Sequence, residues 1–412
     1  MKKFLLIGII IVTLQYNYCN AANDWGLPGE YLNWGAGARS LGMGKAFVGL
    51  ADDSSAVYWN PAGISRLRST ELLFLHTNLF ENTNYEFVSI THPMPWIRSG
   101  FGVGFVMLNS TDFEERDEYN SYIGEFNNKE TAFITSYSYN PRRNIYLGGS
   151  FKIIKQQIGD LIGSSQGLDL GVLYFLRDHI SFGLLLRNLA PPSIKMDKVS
   201  EIYYLSPRFG VALRLLENKL IITTDVLKQR EQEFKFYSGL EFSPVNNFYA
   251  RAGVDETELT FGLGIKYEKV IFDYAAGLQD LGISHRISIT FHLWDLAPKI
   301  KSKVKEFSSF GGKSLINLSI QSEGIVGIKR WKLTVKDDED RVVRTFQDEN
   351  EPPKKILWDG KDENNNFVKD GAYRCLLSVY DKTDKLQESN VVRVRMVSKI
   401  PDAIIKKKEM IK

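Results

Sequence analysis

Residues 259–293 read LTFGLGIKYEKVIFDYAAGLQDLGISHRISITFHL, and their alternation decides the fold class. Leu259, Phe261, Leu263, Ile265 and Tyr267 fall on one side of an extended chain, with Thr260, Gly262, Gly264 and Lys266 on the other. Val270, Phe272, Tyr274 and Ala276 then alternate with Ile271, Asp273, Ala275 and Gly277, and Ile287, Ile289, Phe291 and Leu293 with Arg286, Ser288, Thr290 and His292. Successive side chains of a strand point to opposite faces, so each run presents one greasy face and one polar or small face.

The same pattern extends back to Glu71. It predicts fourteen strands, near 71–80, 84–92, 100–109, 130–139, 144–155, 166–176, 178–187, 206–215, 218–228, 233–242, 247–254, 258–267, 269–278 and 284–293. An even count of segments about ten residues long suits tilted strands of a single-chain membrane barrel. Connection lengths carry a second signal. The long connections 110–129, 156–165 and 188–205 follow odd strands, whereas those after even strands are mostly short, such as Asn140 to Arg143. Long and short connections therefore fall on opposite sides, as extracellular loops and periplasmic turns do, and both termini face the periplasm. A soluble sandwich gives no reason for such parity. In hydrocarbon every backbone amide needs an internal partner, which a closed sheet supplies. The expectation is an all-β chain with a 14-stranded antiparallel transmembrane β-barrel over 69–295, in contact with outer-membrane lipid. Phe80, Trp96, Tyr139, Tyr174, Tyr267 and Trp294 lie near strand ends, where interfacial aromatics sit, although ordinary packing explains each equally well.

Ahead of the strands, residues 1–22 combine Lys2 and Lys3, an apolar core from Phe4 to Leu14, and a polar run ending at Ala21-Ala22. They read as a secretory signal peptide, too short in its apolar core to span a bilayer. Its removal leaves Cys375 as the single cysteine, so no internal disulfide is expected. The net charge is +3. It divides into +7 from Lys299 onward and −4 before it, a basic excess confined to the C-terminal part.

Residues 23–68 lack strand alternation and are rich in glycine. The stretch holds Gly35, Gly37, Gly42 and Gly44, then Asp52 and Asp53, then Asn60-Pro61-Ala62-Gly63. Its opening imitates part of a phosphate loop, but Met43 stands where the lysine must be, and no Gly-x-Gly-x-x-Gly occurs. The wording of residues 35–65 resembles the N-terminal segment of outer-membrane barrels of the PorV/PorQ type, themselves similar to FadL-like transporters of long-chain fatty acids. That resemblance implies that 23–68 is a hatch folded into the lumen.

Lumen-facing positions mix signs: Lys152, Arg187, Arg214, Arg251, Lys266 and Arg286 with Asp169, Asp225 and Asp273. Mutual pairing, or pairing with hatch residues such as Asp52 and Asp53, accounts for them better than a permeant ion, because unpaired charges are costly where water is excluded. Inward Gly102, Gly104, Gly183, Gly262 and Gly264 leave space beside the wall for a plug or an apolar ligand.

Residues 296–314, with Pro298, Gly311 and Gly312, read as a linker, 315–398 as a second set of short strands, and 399–412 as a basic tail. Trp358 to Tyr373 resembles the FlgD-like immunoglobulin-type domain, which implies a small periplasmic β-sandwich. Asn365 stands where that pattern has glycine, and asparagine tolerates the left-handed conformation next best. Asp362, Asn364 and Asn366 have the spacing of a calcium loop, but its glycine and terminal glutamate are missing, so a plain turn is favoured.

The five His, at 76, 92, 179, 285 and 292, fall in no metal-ligand or nucleophile spacing. No catalytic, cofactor or metal site is read, and no nucleic-acid partner. Two non-enzymatic functions remain. The PorV/PorQ resemblance implies a platform in protein secretion, with secreted cargo or other secretion components as partners. The FadL-like relationship implies passage of hydrophobic small molecules.

Overall fold

A computed structural model describes residues 29–397, apart from 80–81, 95–96, 143, 178, 197–198, 217, 231, 246, 280–281, 296–298, 303–305, 309–315, 322–327 and 382–385. The expected signal peptide and basic tail lie outside the described residues, as do Phe80, Trp96, Pro298 and the first part of the expected hatch. The chain divides into two compact units, Met1–Asp295 and Leu296–Lys412.

The first unit is built on β1 (Ser69–Asn78), β2 (Thr83–Met94), β3 (Ser99–Arg116), β4 (Tyr122–Arg142), β5 (Ile145–Ile158), β6 (Leu161–Arg177), β7 (Ile180–Ala190), β8 (Ser193–Met196), β9 (Val199–Ile202), β10 (Ser206–Leu215), β11 (Leu220–Lys228), β12 (Phe234–Phe242), β13 (Phe248–Val254), β14 (Leu259–Tyr267), β15 (Val270–Gln279) and β16 (Gly282–Asp295). All except β8 and β9 form one closed barrel of fourteen antiparallel strands in sequence order, shut by β1 pairing with β16. Its faces are the reverse of a soluble core. On β14, Phe261, Leu263 and Ile265 point outward and are 47%, 51% and 55% exposed, while inward Thr260 is fully buried. An apolar exterior around a closed hydrogen-bonded sheet is what a hydrocarbon solvent demands.

The long connections differ from the expectation. Most of 110–129 is strand, because β3 and β4 stay paired as far as Arg116 and Tyr122 through a bulge between Ser110 and Phe113. Likewise 156–165 narrows to a turn, with Ile158 opposite Leu161, and 188–205 holds the β8–β9 hairpin. The reason is physical: beyond the apolar zone both strand faces meet water, so Asp112, Glu114, Glu115 and Arg116 continue the ladder without an apolar face to reveal it.

The second unit contains β17 (Lys299–Ser302), β18 (Glu306–Ser308), β19 (Ile316–Gln321), β20 (Ile328–Lys336), β21 (Val342–Asp348), β22 (Lys355–Trp358), β23 (Gly371–Asp381), β24 (Leu386–Glu388) and β25 (Val392–Val397). One sheet runs β17-β19-β22, and the other β18-β25-β23-β20-β21 with β24 on β23. The stretch read as a linker thus supplies β17 and β18, each burying one large side chain, Ile300 or Phe307, among lysines and polar residues. A single buried residue per strand is too short an alternation to recognise. Trp331, Leu333, Val335, Trp358, Cys375, Leu377 and Val379 fill the core. Burial pushes the Cys375 thiol up to about 12, so the single cysteine of this unit is inert while the fold is intact. At the turn before β23, Asp362 accepts from the amides of Asn364 and Asn366 at 2.9 Å each, and Asn365 takes φ +68°. The aspartate is occupied by its own backbone, as in an Asx-turn.

Candidate functional site

The N-terminal segment has four short helical turns, at Glu30–Asn33, Ala38–Leu41, Ala56–Trp59 and Pro61–Arg66. Each is too brief to persist alone. They are held because the segment is buried against the inward face of the barrel wall. Glycines on that face let the two backbones touch. A Cβ at Gly102 of β3 would meet Val57 at 2.6 Å, one at Gly210 of β10 the nitrogen of Gly49 at 2.6 Å, and one at Gly239 of β12 the Cβ of Met43 at 2.7 Å. Gly183 faces Val48, and Gly262 faces the Cα of Gly42 at 3.3 Å. These contacts come from strands all round the barrel. Gly264 differs from the expectation of open space: Arg251 and Asp273 fill it.

Hydrogen bonds follow the same circuit. Ala38 donates to Ser288 Oγ at 3.1 Å, Gly44 to Thr260 Oγ1 at 3.1 Å, Ser181 Oγ to the Gly49 carbonyl at 2.8 Å, and Asn60 Nδ2 to the Val172 carbonyl at 3.1 Å. Asn60 also caps the turn that begins at Pro61, accepting from Ala62 N at 3.2 Å, where proline suits the first helical position. At Gly44, φ is +57° and backbone atoms of Ser238 and Val254 crowd the Cβ position, so glycine is required there. Tyr85 of β2 donates its hydroxyl to the Gly35 carbonyl at 2.8 Å.

Buried and half-buried ion pairs complete the seat. Arg39 bonds Asp52 at 2.8 Å, Asp53 at 3.0 Å and Glu241 at 2.8 Å, and Arg251 joins Glu241 at 2.6 Å to Asp273 at 2.7 Å. Lys45 reaches Asp255 at 2.8 Å and Glu258 at 3.5 Å, and Glu258 also holds Arg286 at 2.6 Å. Asp225 accepts from Arg208 at 3.0 Å and from the amides of Phe47 and Val48 at 2.9 and 3.0 Å. Arg214 lies 3.7 Å from Asp52. Lys152 pairs with Asp169 at 2.8 Å, Arg187 donates to the Leu32 carbonyl at 2.9 Å, and Lys266 is half-buried. Arg39, Lys45, Arg208, Glu241, Asp255 and Glu258 were not singled out from sequence. Arg208 and Glu241 share the inward face with Arg214 and Gly239, so extending the alternation two to six residues would have found them. Asp255 and Glu258 sit where the alternation stops, in or next to a connection.

Toward the ends joined by the long connections, the inward face changes character. Leu75, Phe87, Val106, Ala132 and Ile154 are successive cross-strand partners on β1 to β5, all buried. They pack with Tyr31, Leu32 and Tyr58 of the N-terminal segment, and the Tyr58 and Phe87 rings meet edge to face with centroids 6.0 Å apart. Hairpin strand β8 adds Ile194 to the same cluster. A water-filled lumen is polar, and this row is not.

One group of reactive side chains lies elsewhere, where β1 meets β16. Ser69 Oγ is 2.8 Å from His292 Nδ1, and Glu71 Oε1 is 3.6 Å from that same nitrogen. A nucleophilic triad divides the two ring nitrogens between hydroxyl and carboxylate. Here both converge on one, so the arrangement is not a relay.

A sequence profile described as uncharacterised protein family UPF0164 matches residues 30–167, from the N-terminal segment into β6. No curated protein matches the chain. Among solved structures, the chain is similar to the toluene transporter TodX of Pseudomonas putida at 12% identity, over 63% of this chain and 98% of that one, with a TM-score of 0.48. It is similar to the CymD monoaromatic hydrocarbon channel at 12% identity, over 63% and 98%, with a TM-score of 0.47. For a FadL homologue of Pseudomonas aeruginosa the values are 10% identity, 61% and 97% coverage, and a TM-score of 0.41. Likenesses at this level are loose ones of shape, and nothing about a ligand follows from them.

Proposed function

We propose that this chain is an outer-membrane barrel, closed by its N-terminal hatch, that passes small apolar molecules across the membrane. The observation that carries this reading is the inward apolar row on β1 to β5. Tyr31, Leu32 and Tyr58 of the N-terminal segment cover this row, so a shift of the segment would uncover an apolar lining, which favours an apolar guest over water. The exterior supports the membrane location, since large apolar side chains stand exposed on strand after strand. The chain leaves β16 on the side of the short connections, so the second unit, read as a FlgD-like immunoglobulin-type domain, belongs in the periplasm.

The sequence reading put a secretion platform of PorV/PorQ type first and hydrophobic passage second. The apolar row supports placing passage ahead of the platform. The resemblance of residues 35–65 is to the hatch wording, and the interior gives the hatch something apolar to guard.

Val106→Asp tests the row. A carboxylate placed among buried hydrocarbon, with no cation beside it, costs several kcal/mol. In cells lacking the native protein, uptake of labelled decanol through Val106→Asp should fall at least about tenfold relative to Val106→Leu, given that ~1.4 kcal/mol is a factor of ten. Both variants should keep the heat-modifiable migration of a folded barrel. Equal uptake through folded Val106→Asp would remove the row from the pathway.

A further inference from the structure

The next inward row toward the long connections is Thr77, Tyr85, Leu108, Glu130 and Gln156, again successive cross-strand partners. It combines the apolar belt below with a set of unanswered polar atoms. Among the described residues, Thr77 Oγ1, Gln156 Oε1 and the Tyr203 hydroxyl have no hydrogen-bond partner, although these residues are only 3%, 7% and 2% exposed. Glu130, directly across from Gln156, accepts from Asn128 Nδ2 at 3.3 Å and meets no cation among the described residues. Burial first, and then the neighbouring Glu130 and Glu201 carboxylates, hold the Tyr203 hydroxyl protonated. Lys152, four residues before Gln156 on β5, is committed to Asp169. A buried oxygen without a partner is costly, and a bound molecule that donates to it recovers that cost. The Thr77 and Tyr203 hydroxyls can donate as well as accept, but Gln156 Oε1 and the Glu130 carboxylate only accept, so a guest carboxylate would face an acceptor and a like charge while an ammonium or hydroxyl would answer both.

We propose that this luminal site selects apolar molecules bearing a hydrogen-bond donor, an amine ahead of an alcohol, and rejects carboxylates. The preference rests on the passage reading above and adds the chemistry of the guest's polar end. Equilibrium binding of decylamine, decanol and decanoate to the full protein in lipid nanodiscs, referenced to empty nanodiscs, tests it. Decylamine should bind at least about tenfold tighter than decanoate, with decanol between them, the scale of one charge-assisted hydrogen bond gained or refused. Glu130→Gln should bring decylamine down to the level of decanol, and Glu130→Lys should invert the order in favour of decanoate, both with unchanged heat-modifiable migration. Decanoate binding as tightly as decylamine, or an order unmoved by either folded variant, would overturn the preference while leaving passage intact. If none of the three binds, the passage reading fails with it.

Discussion

Removing residues 29–67 is expected to turn a closed barrel into a conducting one, raising its single-channel conductance in a planar bilayer by more than about tenfold, since unplugged barrels of similar strand number enclose an aqueous lumen. The barrel should survive, because its strands are hydrogen-bonded to one another around the whole circuit and need no bond from the segment. What they lose is a lining. Gly102, Gly210, Gly239 and Gly262 would face empty lumen where Val57, Gly49, Met43 and Gly42 now sit. Glu241, Asp255 and Glu258 would lose Arg39 or Lys45, but water entering the lumen solvates them, so the cost is smaller than in a dry interior. Conductance equal to that of the intact protein, from a barrel that still migrates as folded, would mean the segment does not obstruct the lumen.

Asp225→Ala should loosen the same segment without touching its length. The carboxylate answers Arg208 and two backbone amides, those of Phe47 and Val48, in one fully buried position. Removing it leaves a buried guanidinium without a counter-charge and two amides without an acceptor, a loss of about 3–5 kcal/mol for breaking one side of a buried pair. Arg208 keeps its stack on Tyr237, 4.0 Å from the ring centroid, and its bond to the Lys45 carbonyl, which hold it in place but supply no negative charge. The population of unseated segment should therefore rise by roughly a hundredfold to several thousandfold, read as open-channel bursts or as proteolysis within residues 35–67. Asp225→Asn, which keeps one acceptor for the amides, should fall between the two. An Asp225→Ala protein as quiet and as resistant as the native one would show that the pair carries no share of closure.

Most of the barrel was legible because a membrane strand must show one apolar face, and Leu259 to Tyr267 does so residue by residue. All fourteen expected strands correspond to strands of the closed sheet, with ends differing mainly where β3, β4, β5 and β6 climb beyond the apolar zone. There both faces are wet, and pairing leaves no mark in hydropathy. The lumen was harder to read. Arg251 and Arg286 could be placed inward by alternation, but alternation does not say which partner comes from which strand. Arg39 and Lys45 lie in a segment without periodicity, so their pairing with Glu241 and Asp255, some two hundred residues away, exists only in three dimensions. The apolar row was visible one strand at a time as ordinary inward residues. Its meaning depends on the register that sets Leu75, Phe87, Val106, Ala132 and Ile154 side by side, and that register is a property of the closed sheet. In the second unit, β17 and β18 were missed because Ile300 and Phe307 each stand alone.

A strain lacking the protein, scored in the same culture for uptake of labelled decanol and for its profile of secreted proteins, tests passage of apolar molecules most directly. The account predicts uptake reduced several-fold and restored by the native chain, with the secreted profile unchanged. Normal uptake together with a depleted secreted profile would contradict it and return the barrel to the role of a secretion platform.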